Sequence, residues 1–482
     1  MDWIEGHIKT LMYLTGMSES TARDLFLRVV RVEIDPTVAH NRTYQLAYTT
    51  TVNLLSRIFP KVQFERVEGA SPKITPWGQF VPLVSEEQPE VIVRIGSGRT
   101  SETNTLSLWL DDWHVGIDAD LTANADTSWN PVLAIIGSCY VAAAATAKLL
   151  QGAIHAANHW PVFSILDFEN GTANYDFSQQ ISIGQKYLAG VGAVGSSFLF
   201  CLLAHGRCQG ELYIFDEDVV DHDNLGRYPL FDASDDGTPK VLAAQERLSS
   251  IAGLSVIPIP CTLQKYCRQH ESHPDFRIEG LISAPDKRET RRQFQHELPR
   301  RVWDASTGPD QVVIHTNEFT PILACMECIY PERPEEQAHL KHVAETLGLS
   351  FGRVKSGEPI NESDAELIVK RYARLQGREI VGKDFDSVFR DLCSSNQLVA
   401  GDEVVLAPFS FTSMLAGAYQ YLEFIKTFAE PLREAVPPMN YFTVNPMFPP
   451  NPYLRELRAS RPSCSCQKKA FRDVFNKLWE KD

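Results

Sequence analysis

The stretch QKYLAGVGAVGSSFLFCLLAHG, residues 185–206, decides the fold of this chain. An apolar segment leads into glycines at Gly190, Gly192 and Gly195, and a second apolar run follows them. This order predicts a strand, a tight turn and a helix. Glycines let the backbone approach an anion closely, and the helix presents free N–H groups and the positive end of its dipole. The sequence therefore predicts a phosphate-binding turn.

The segments around this turn predict a Rossmann-like α/β domain with a mainly parallel sheet. A second strand, ELYIFD, ends at Asp216, where a carboxylate can accept hydrogen bonds from a ribose. A helix near 239–251 follows, and LSVIPIPC (254–261) and GLISAP (280–285) are further strand candidates. Taken alone, the glycine turn and the acid suit a nicotinamide dehydrogenase equally well.

The residues after this strand separate the two functions. The run DEDVVDHDNLGR, residues 216–227, resembles the signature of ubiquitin-activating (E1-like) adenylating enzymes, the ThiF–MoeB superfamily, and Lys240 follows in a G-x-P-K element at the expected distance. Two residues depart from the family pattern: Asp223 stands where Ser or Thr is usual, and Tyr228 where Gln often follows the Arg. Neither departure removes a charged group.

The resemblance implies roles for several residues in this run and after it. Arg227 and Lys240 contact the triphosphate of ATP, and Asn224 helps to position it. Asp216 holds the ribose, and Asp218 belongs to the same predicted nucleotide-binding set. Asp286, in LISAPDKRETRR, matches the family aspartate that engages Mg²⁺ with ATP, and Mg²⁺ suits one or two carboxylates plus phosphate oxygens. Arg227, Lys240 and Asp286 are predicted to act in catalysis. For each residue taken singly, the alternative is a surface charge.

Two cysteine pairs predict a metal site. Cys325 and Cys328 form one pair, and Cys464 and Cys466 form the other. Four soft ligands suit a closed tetrahedral Zn²⁺ site with a structural role, and the resembled family frequently carries two such pairs. The second pair is tighter than the usual CxxC. The alternative is a set of buried free cysteines.

Cys393 stands apart from the other cysteines. It precedes the apolar run LAPFSFTSMLAGAYQYLEFIK, residues 406–426, which resembles the family helix after the crossover loop. In members that form thioesters, the reactive cysteine lies shortly before this helix, so Cys393 is the predicted catalytic nucleophile. A thiolate attacks an acyl-adenylate far better than a hydroxyl. The alternative is an inert loop or core cysteine.

The predicted organisation has four parts. They are an N-terminal α/β domain resembling an inactive adenylation half, the nucleotide-binding part, a helical insertion with the cysteine region, and a C-terminal part with the second zinc-ligand pair, at residues 1–178, 179–330, 331–400 and 401–482. The stretch 130–150 is interpreted as the relic of a glycine turn and its helix. Arg23, Arg28 and Arg31, taken to lie on a first helical stretch, are candidates for an arginine that reaches the ATP site.

Composition limits the partners of this protein. The 482 residues carry 61 acidic and 46 basic side chains, a net charge of −15, which predicts no nucleic-acid or membrane partner, although Arg288, Arg291 and Arg292 could meet a local anion. The acidic N-terminus does not resemble a signal peptide, and the Ala-rich run 131–150 is interpreted as a buried helix. Ten cysteines are too sparse for a disulfide scaffold. A cytoplasmic location is predicted.

The resemblance implies an E1-like enzyme that adenylates the C-terminus of a ubiquitin-like protein with ATP, forms a thioester and passes it to an E2-type cysteine. E1 proteins of bacterial antiviral ubiquitin-like operons are the nearest subgroup, and the chain would work as a pseudo-dimer within itself or as a homodimer. Three alternatives stay open: a sulfur-carrier or small-molecule adenylating enzyme, a nicotinamide-dependent oxidoreductase, and a scaffold without chemistry.

Overall fold

The structure, a computed structural model, describes most of the chain. The described residues are 7–9, 11–12, 15–65, 79–80, 87–96, 98, 102–150, 153–270, 273, 276–308, 311–320, 322–372, 377–385, 388–389 and 408–479. The chain divides into two compact units, one of Met1–Ile329 with Leu406–Asp482 and one of Tyr330–Val405. The domain boundaries predicted after residues 178, 330 and 400 stay predictions.

The larger unit contains two mixed sheets. The strands of the first sheet are β1 (Val29–Ile34), β2 (Lys61–Phe64), β3 (Gln79–Phe80), β4 (Val91–Ile95), β5 (Thr105–Asp111), β6 (His114–Ile117) and β7 (Phe163–Ser164). Those of the second are β8 (Ile181–Ala189), β9 (Cys208–Phe215), β10 (Leu254–Ile259), β11 (Gly280–Ser283), β12 (Arg301–Thr307), β13 (Val312–Asn317), β14 (Tyr441–Val444) and β15 (Arg455–Glu456). The predicted α/β class is confirmed.

The larger unit also contains helices, several of which pack against the two sheets. They are α1 (Glu19–Phe26), α2 (Arg42–Ser56), α3 (Pro131–Leu149), α4 (Ala193–His205), α5 (Lys240–Leu248), α6 (Leu263–His270), α7 (Arg288–Gln293), α8 (Met326–Ile329), α13 (Ser410–Lys426), α14 (Glu430–Glu434) and α15 (Lys469–Trp479). Short 3₁₀ turns span His222–Arg227, Ala233–Asp235, Phe294–Glu297, Pro452–Leu454 and Ser465–Gln467.

The two sheets share one topology. Their orders are β3-β2-β1-β4-β5-β6-β7 and β10-β9-β8-β11-β12-β13-β14-β15. In each sheet the first five strands in chain order pair in parallel, and the later strands pair antiparallel. The second sheet therefore repeats the first strand for strand through the seventh strand, and β15 is an addition.

The helices extend this correspondence and correct one interpretation of the sequence. The larger unit has an N-terminal half, which contains β1–β7, and a second half, which contains β8–β15. In each half one helix follows the first strand, namely α2 after β1 and α4 after β8. One long helix, α3 or α13, lies between the sixth and seventh strands of its half. The stretch 130–150 is thus the counterpart of α13. The interpretation of that stretch as a relic of the glycine turn is wrong, because its place in the strand order is that of the long helix. The helix in the place of the glycine-turn helix is α2.

The long helices α3 and α13 pack against each other within the larger unit. Helix α3 contacts α2, α4 and α13, and α13 contacts α4 and α2. The crossing of α13 with α4 depends on Gly417, because a Cβ there would lie 2.4 Å from the Ser197 Cβ and 2.5 Å from the Phe198 backbone nitrogen. Buried side chains from both halves belong to one hydrophobic core. The two halves are therefore held together by helix packing and not by a linker.

Helix α3 has the length and hydropathy of a membrane span, yet 94% of its apolar window is buried inside the protein. Pro131 occupies its first turn, and the side chain of Asn130 caps it by accepting from the Leu133 N–H. The prediction of a buried helix is confirmed.

The smaller unit is helical in the part that the structure describes. Its helices are α9 (Pro334–Leu347), α10 (Phe351–Lys355), α11 (Glu362–Arg371) and α12 (Gly377–Ile380). Its own apolar core includes Leu347, Ile368 and Phe389. Arg353 ties α10 to α11 by pairing with Asp364 at 2.6 Å. These helices agree with the helix-favouring insertion that the sequence indicates.

Candidate nucleotide site and cysteine cluster

The glycine turn lies between β8 and α4, as predicted. Its three positions differ in whether the surrounding structure leaves room for a side chain. Gly190 has a φ of +92°, and a Cβ there would lie 2.7 Å from the carbonyl oxygen of Ala284. A Cβ at Gly195 would lie 1.9 Å from the carbonyl oxygen of Gly190. At Gly192 a Cβ would have no neighbour within 4 Å among the described residues. Packing therefore requires the first and third glycines, whereas the second leaves open space next to the start of α4.

At the corresponding turn in the N-terminal half, a side chain occupies the free N–H groups at the start of the helix. Helix α2 begins after Asn41, whose side chain accepts from the N–H groups of Thr43 and Tyr44 at 2.9 Å and 3.3 Å. Helix α4 begins after Gly192, which has no side chain to cap the helix. Because a capping side chain occupies the N–H groups that an anion would bind, the start of α4 is suited to a phosphate and the start of α2 is not.

Asp216 directly follows β9 and lies beside the glycine turn. Its Oδ2 accepts from the Val191 N–H at 2.7 Å, and its Oδ1 accepts from the Asp218 N–H at 3.0 Å. Burial raises the pKa of Asp216, although Lys240 and these two N–H groups act in the opposite direction. The carboxylate therefore joins the turn to the strand that follows it, and it lies where the sequence predicts a ribose-binding acid.

Lys240, the first residue of α5, is the buried cation of this site. Its Nζ lies 2.9 Å from Asp218 Oδ2 and 3.7 Å from Asp216 Oδ1. It also lies 5.4 Å from the centre of the Tyr228 ring, an arrangement that attracts a cation to the aromatic face. Burial disfavours the ammonium, but these neighbours outweigh it and raise the pKa of Lys240. The side chain is therefore a fixed positive charge.

Asn224 and Arg227 lie on the 3₁₀ turn His222–Arg227, where the Arg227 guanidinium donates to Asn224 Oδ1. Burial raises the pKa of the Tyr228 phenol, and the nearby charges of Lys240 and Arg227 act in the opposite direction. Tyr228, noted in the sequence only as a departure from the family pattern, thus contributes its ring to the site. An aromatic residue between an Arg and a Lys was the signal for it.

Asp286 follows β11 and is exposed. The strand end is joined to the site because Ala284 donates its N–H to the carbonyl of Ala189 at 2.9 Å. Sequence reasoning missed the interactions that fix the loop between β11 and α7, which contains Asp286. Arg291 is buried in an ion pair with Asp304 and donates to the carbonyl of Pro285.

This ion pair corrects the suggestion that Arg291 could meet an external anion. Its side chain is 3% exposed, and that of Asp304 is fully buried. Ser283 Oγ donates to the same Asp304 carboxylate at 2.6 Å. A lone acid inside the apolar strand RVWDAST was the available signal, because a buried carboxylate needs a charged or hydrogen-bonding partner.

The three arginines proposed to reach the site do not form one helical group. Arg23 lies on α1 and pairs with Glu19, Arg28 donates to the carbonyl of Leu149 at 2.7 Å, and Arg31 lies on β1 and donates to Gln63. The expectation that they share a helix is wrong, because α1 ends at Phe26 and β1 begins at Val29.

The four paired cysteines meet in one buried cluster, although about 140 residues of chain separate the pairs. Their sulfurs all lie within 4.8 Å of one another. The Sγ atoms of Cys325 and Cys464 are 3.5 Å apart, and those of Cys328 and Cys466 are 3.7 Å apart. Hydrogen bonding by Cys325, and also by the Arg461 N–H, lowers the pKa of Cys328. The predicted grouping of these residues is confirmed.

Cys393 lies outside the described residues. The helix predicted to follow it is present as α13, and Gln420 on that helix donates to the carbonyls of Ser283 and Trp303, both at 2.9 Å. The assignment of Cys393 stays a prediction.

Comparison with known proteins identifies related sequences. The model described as the ThiF family matches residues 170–468. The uncharacterized protein y4jF of Sinorhizobium fredii (strain NBRC 101917 / NGR234) is 24% identical over 94% of this chain and 91% of its own.

Two solved structures illustrate the structural similarity. Escherichia coli MccB with MccA-N7isoASN is 15% identical and covers 59% of this chain and 68% of its own, with a TM-score of 0.36. PaaA is 20% identical and covers 27% of this chain and 40% of its own, with a TM-score of 0.23. Similarity at this level does not define a shared function.

Proposed function

Because the chain belongs to the ThiF family, we propose that it is an ATP-dependent adenylating enzyme that activates the C-terminal carboxylate of a small protein. One observation carries the proposal: Gly192 leaves open space at the uncapped start of α4, and the fixed cation of Lys240 lies beside Asp216, the acid that follows β9. A phosphate chain needs both features, because backbone N–H groups and cations must meet its charge.

The residues of the site have distinct tasks in this reaction. The substrate carboxylate attacks the α-phosphorus of ATP, the bond to the bridging oxygen breaks, and pyrophosphate leaves. Lys240 and Arg227 stabilise the negative charge that develops on the phosphates. Asp216 already binds the turn through Val191 and accepts the ribose hydroxyls with its remaining lone pairs. Asn224 orients Arg227 through the hydrogen bond between their side chains.

Mg²⁺ and Zn²⁺ fit two different sets of residues. Asp286 is an exposed carboxylate at the end of β11, and one carboxylate with phosphate oxygens satisfies Mg²⁺, which supplies further charge neutralisation when bound. The four sulfurs of the cysteine cluster match a closed tetrahedral Zn²⁺ site. Since all four ligand positions are taken by cysteines, the zinc would be structural and would join segments that are distant in sequence.

The further steps follow from Cys393 and complete the proposal. Its thiolate attacks the carbonyl carbon of the acyl-adenylate, AMP leaves, and a thioester forms. An E2-type cysteine then attacks this thioester and takes the acyl group, and Cys393 leaves as the free thiol. A ubiquitin-like protein is the proposed substrate. A bacterial antiviral conjugation operon and the cytoplasm are the proposed setting. The N-terminal half serves as the inactive partner of an internal pseudo-dimer, which is supported by its repeated topology and its capped α2.

ATP–pyrophosphate exchange with candidate ubiquitin-like proteins tests the adenylation step. Exchange is expected only with a substrate whose C-terminal carboxylate is free, and a non-reducing gel should show a thiol-sensitive adduct that is lost in Cys393→Ala. An adduct that persists in Cys393→Ala would remove the cysteine assignment and keep the adenylation claim. Exchange supported by a small molecule or a sulfur carrier without an adduct would favour the alternative within this family. Binding of a nicotinamide dinucleotide in place of ATP would refute the proposal.

The two glycines of the turn should separate folding from nucleotide binding. Gly192→Ala is expected to melt within about 2 °C of the wild type because its Cβ enters open space, yet to lower exchange about tenfold or more, since the methyl group blocks the phosphate. Gly195→Ala should lose stability and exchange together, because its Cβ collides with the Gly190 carbonyl. Thermal melts beside exchange rates make the measurement. Equal exchange in Gly192→Ala and the wild type contradicts a phosphate at this turn.

A further inference from the structure

Arg57, at the end of α2 in the N-terminal half, reaches into the segment that carries Asn224 and Arg227. Its guanidinium donates to the carbonyl of Leu225, to that of Phe231 at 2.8 Å and to that of Pro229 at 3.4 Å. One side chain of the first half thus binds three carbonyls of the second half, on both sides of Arg227.

A residue within α2 orients this guanidinium. Asn53, one helical turn earlier, accepts from Arg57 Nε at 2.7 Å through its Oδ1 and donates from its Nδ2 to the Pro229 carbonyl at 3.3 Å. The backbone also meets the segment, since a Cβ at Gly226 would lie 3.6 Å from the carbonyl oxygen of Arg57. The planar fork of Arg57 is therefore held in one orientation.

The charge of Arg57 is unusual because it is buried without an ion pair. The residue is 0% exposed, and the described partners of its guanidinium are the Asn53 amide and backbone carbonyls, not carboxylates. Burial lowers the pKa of Arg57 to about 9, so the side chain is still charged at neutral pH. A buried charge is costly unless hydrogen bonds satisfy it. Here backbone carbonyls supply those bonds, which ties the charge to the shape of this segment.

We propose that Arg57 is a positioning residue, by which the catalytically inactive half sets the geometry of the nucleotide site in the other half. Leu225 lies between Asn224 and Arg227, so fixing its carbonyl fixes the 3₁₀ turn on which both side chains stand. The inference rests on the proposed function, because its consequence is measured as binding of ATP.

Arg57→Lys in the full chain tests the proposal. Lysine keeps the charge, but its single ammonium nitrogen cannot replace the separate nitrogens by which Arg57 binds Asn53, Leu225 and Phe231. Amide hydrogen exchange in peptides covering residues 221–231 is expected to rise about tenfold. The dissociation constant of ATP with Mg²⁺, measured by titration calorimetry, is expected to rise roughly ten- to a hundredfold.

Two control variants separate positioning from general destabilisation. Val52→Ala weakens the same helix at a fully buried apolar side chain, and Arg94→Lys alters an arginine of the N-terminal half that pairs with Glu33 at 3.2 Å instead. Both variants should keep the ATP affinity of the wild type and its rate of amide hydrogen exchange in residues 221–231. If Val52→Ala matches the ATP loss of Arg57→Lys at equal stability, or if Arg57→Lys binds ATP as the wild type does, Arg57 is not a positioning residue. A wild-type chain that binds no ATP refutes the proposed function instead, and unchanged exchange in 221–231 then overturns the role of Arg57 on its own.

Discussion

Lys240→Ala is expected to lower the rate of ATP–pyrophosphate exchange by roughly a hundredfold or more, because removing one preorganised stabiliser of developing charge typically costs that much. Its Nζ is held by Asp216 and Asp218, so no conformational search is needed when the phosphates arrive. The loss also leaves the buried Asp216 carboxylate without its nearest cation. We therefore expect kcat to fall, in addition to any rise in the KM for ATP.

Lys186→Ala is the matched control for this prediction. Lys186 is also a buried lysine bound to an acid, Glu279 at 3.2 Å, but that pair lies where β11 begins, whereas the nucleotide site lies where the strands end. A similar loss of thermal stability in both variants is expected, with exchange retained in Lys186→Ala. Equal exchange in Lys240→Ala and wild type would exclude Lys240 from the reaction.

Cys325→Ser should release the bound metal and lower the melting temperature. A purified wild-type chain is expected to contain about one zinc per chain, and the variant well below half of that, by elemental analysis. The cluster joins α8 to the segment before α15, and zinc binding contributes directly to folding. A loss of several kcal/mol would lower the melting temperature by on the order of 10 °C.

Cys261→Ser provides the control for the cluster, because Cys261 is a half-buried free cysteine outside it. Its metal content and melting temperature should match the wild type. If the wild-type chain contains no metal after expression with added zinc, and Cys325→Ser melts as the wild type does, the cluster is a group of buried thiols.

Local patterns were sufficient for the elements around the site. The sequence predicted β8, the glycine turn and α4 because apolar runs and glycine spacing act within about 20 residues of chain. It also predicted the cysteine pairs, since the spacing of ligands within each pair is a local property. That the two pairs meet depends on how α8 and the segment before α15 are placed by the rest of the fold.

Long-range packing produced the parts that sequence reasoning missed. Arg291 looked like a surface cation because its neighbours in sequence are charged, and only the position of Asp304 on the next strand places it in a buried ion pair. Arg57 has no local signal, because its three acceptors lie about 170 residues away. The long helix α3 was assigned to the wrong role, since a run of apolar residues does not reveal its place in the strand order.

The sequence by itself determined the kind of chemistry: its residue types and their spacing at 190–240 specify a phosphate-binding turn with cations and an acid. Only the tertiary structure decided that the N-terminal half repeats the topology of the other half. It also decided that Arg57 binds the segment that carries Asn224 and Arg227. The physical reason is the range of the interactions. Backbone conformation and capping depend on neighbouring residues, whereas burial of a charge depends on chain segments that meet only after folding.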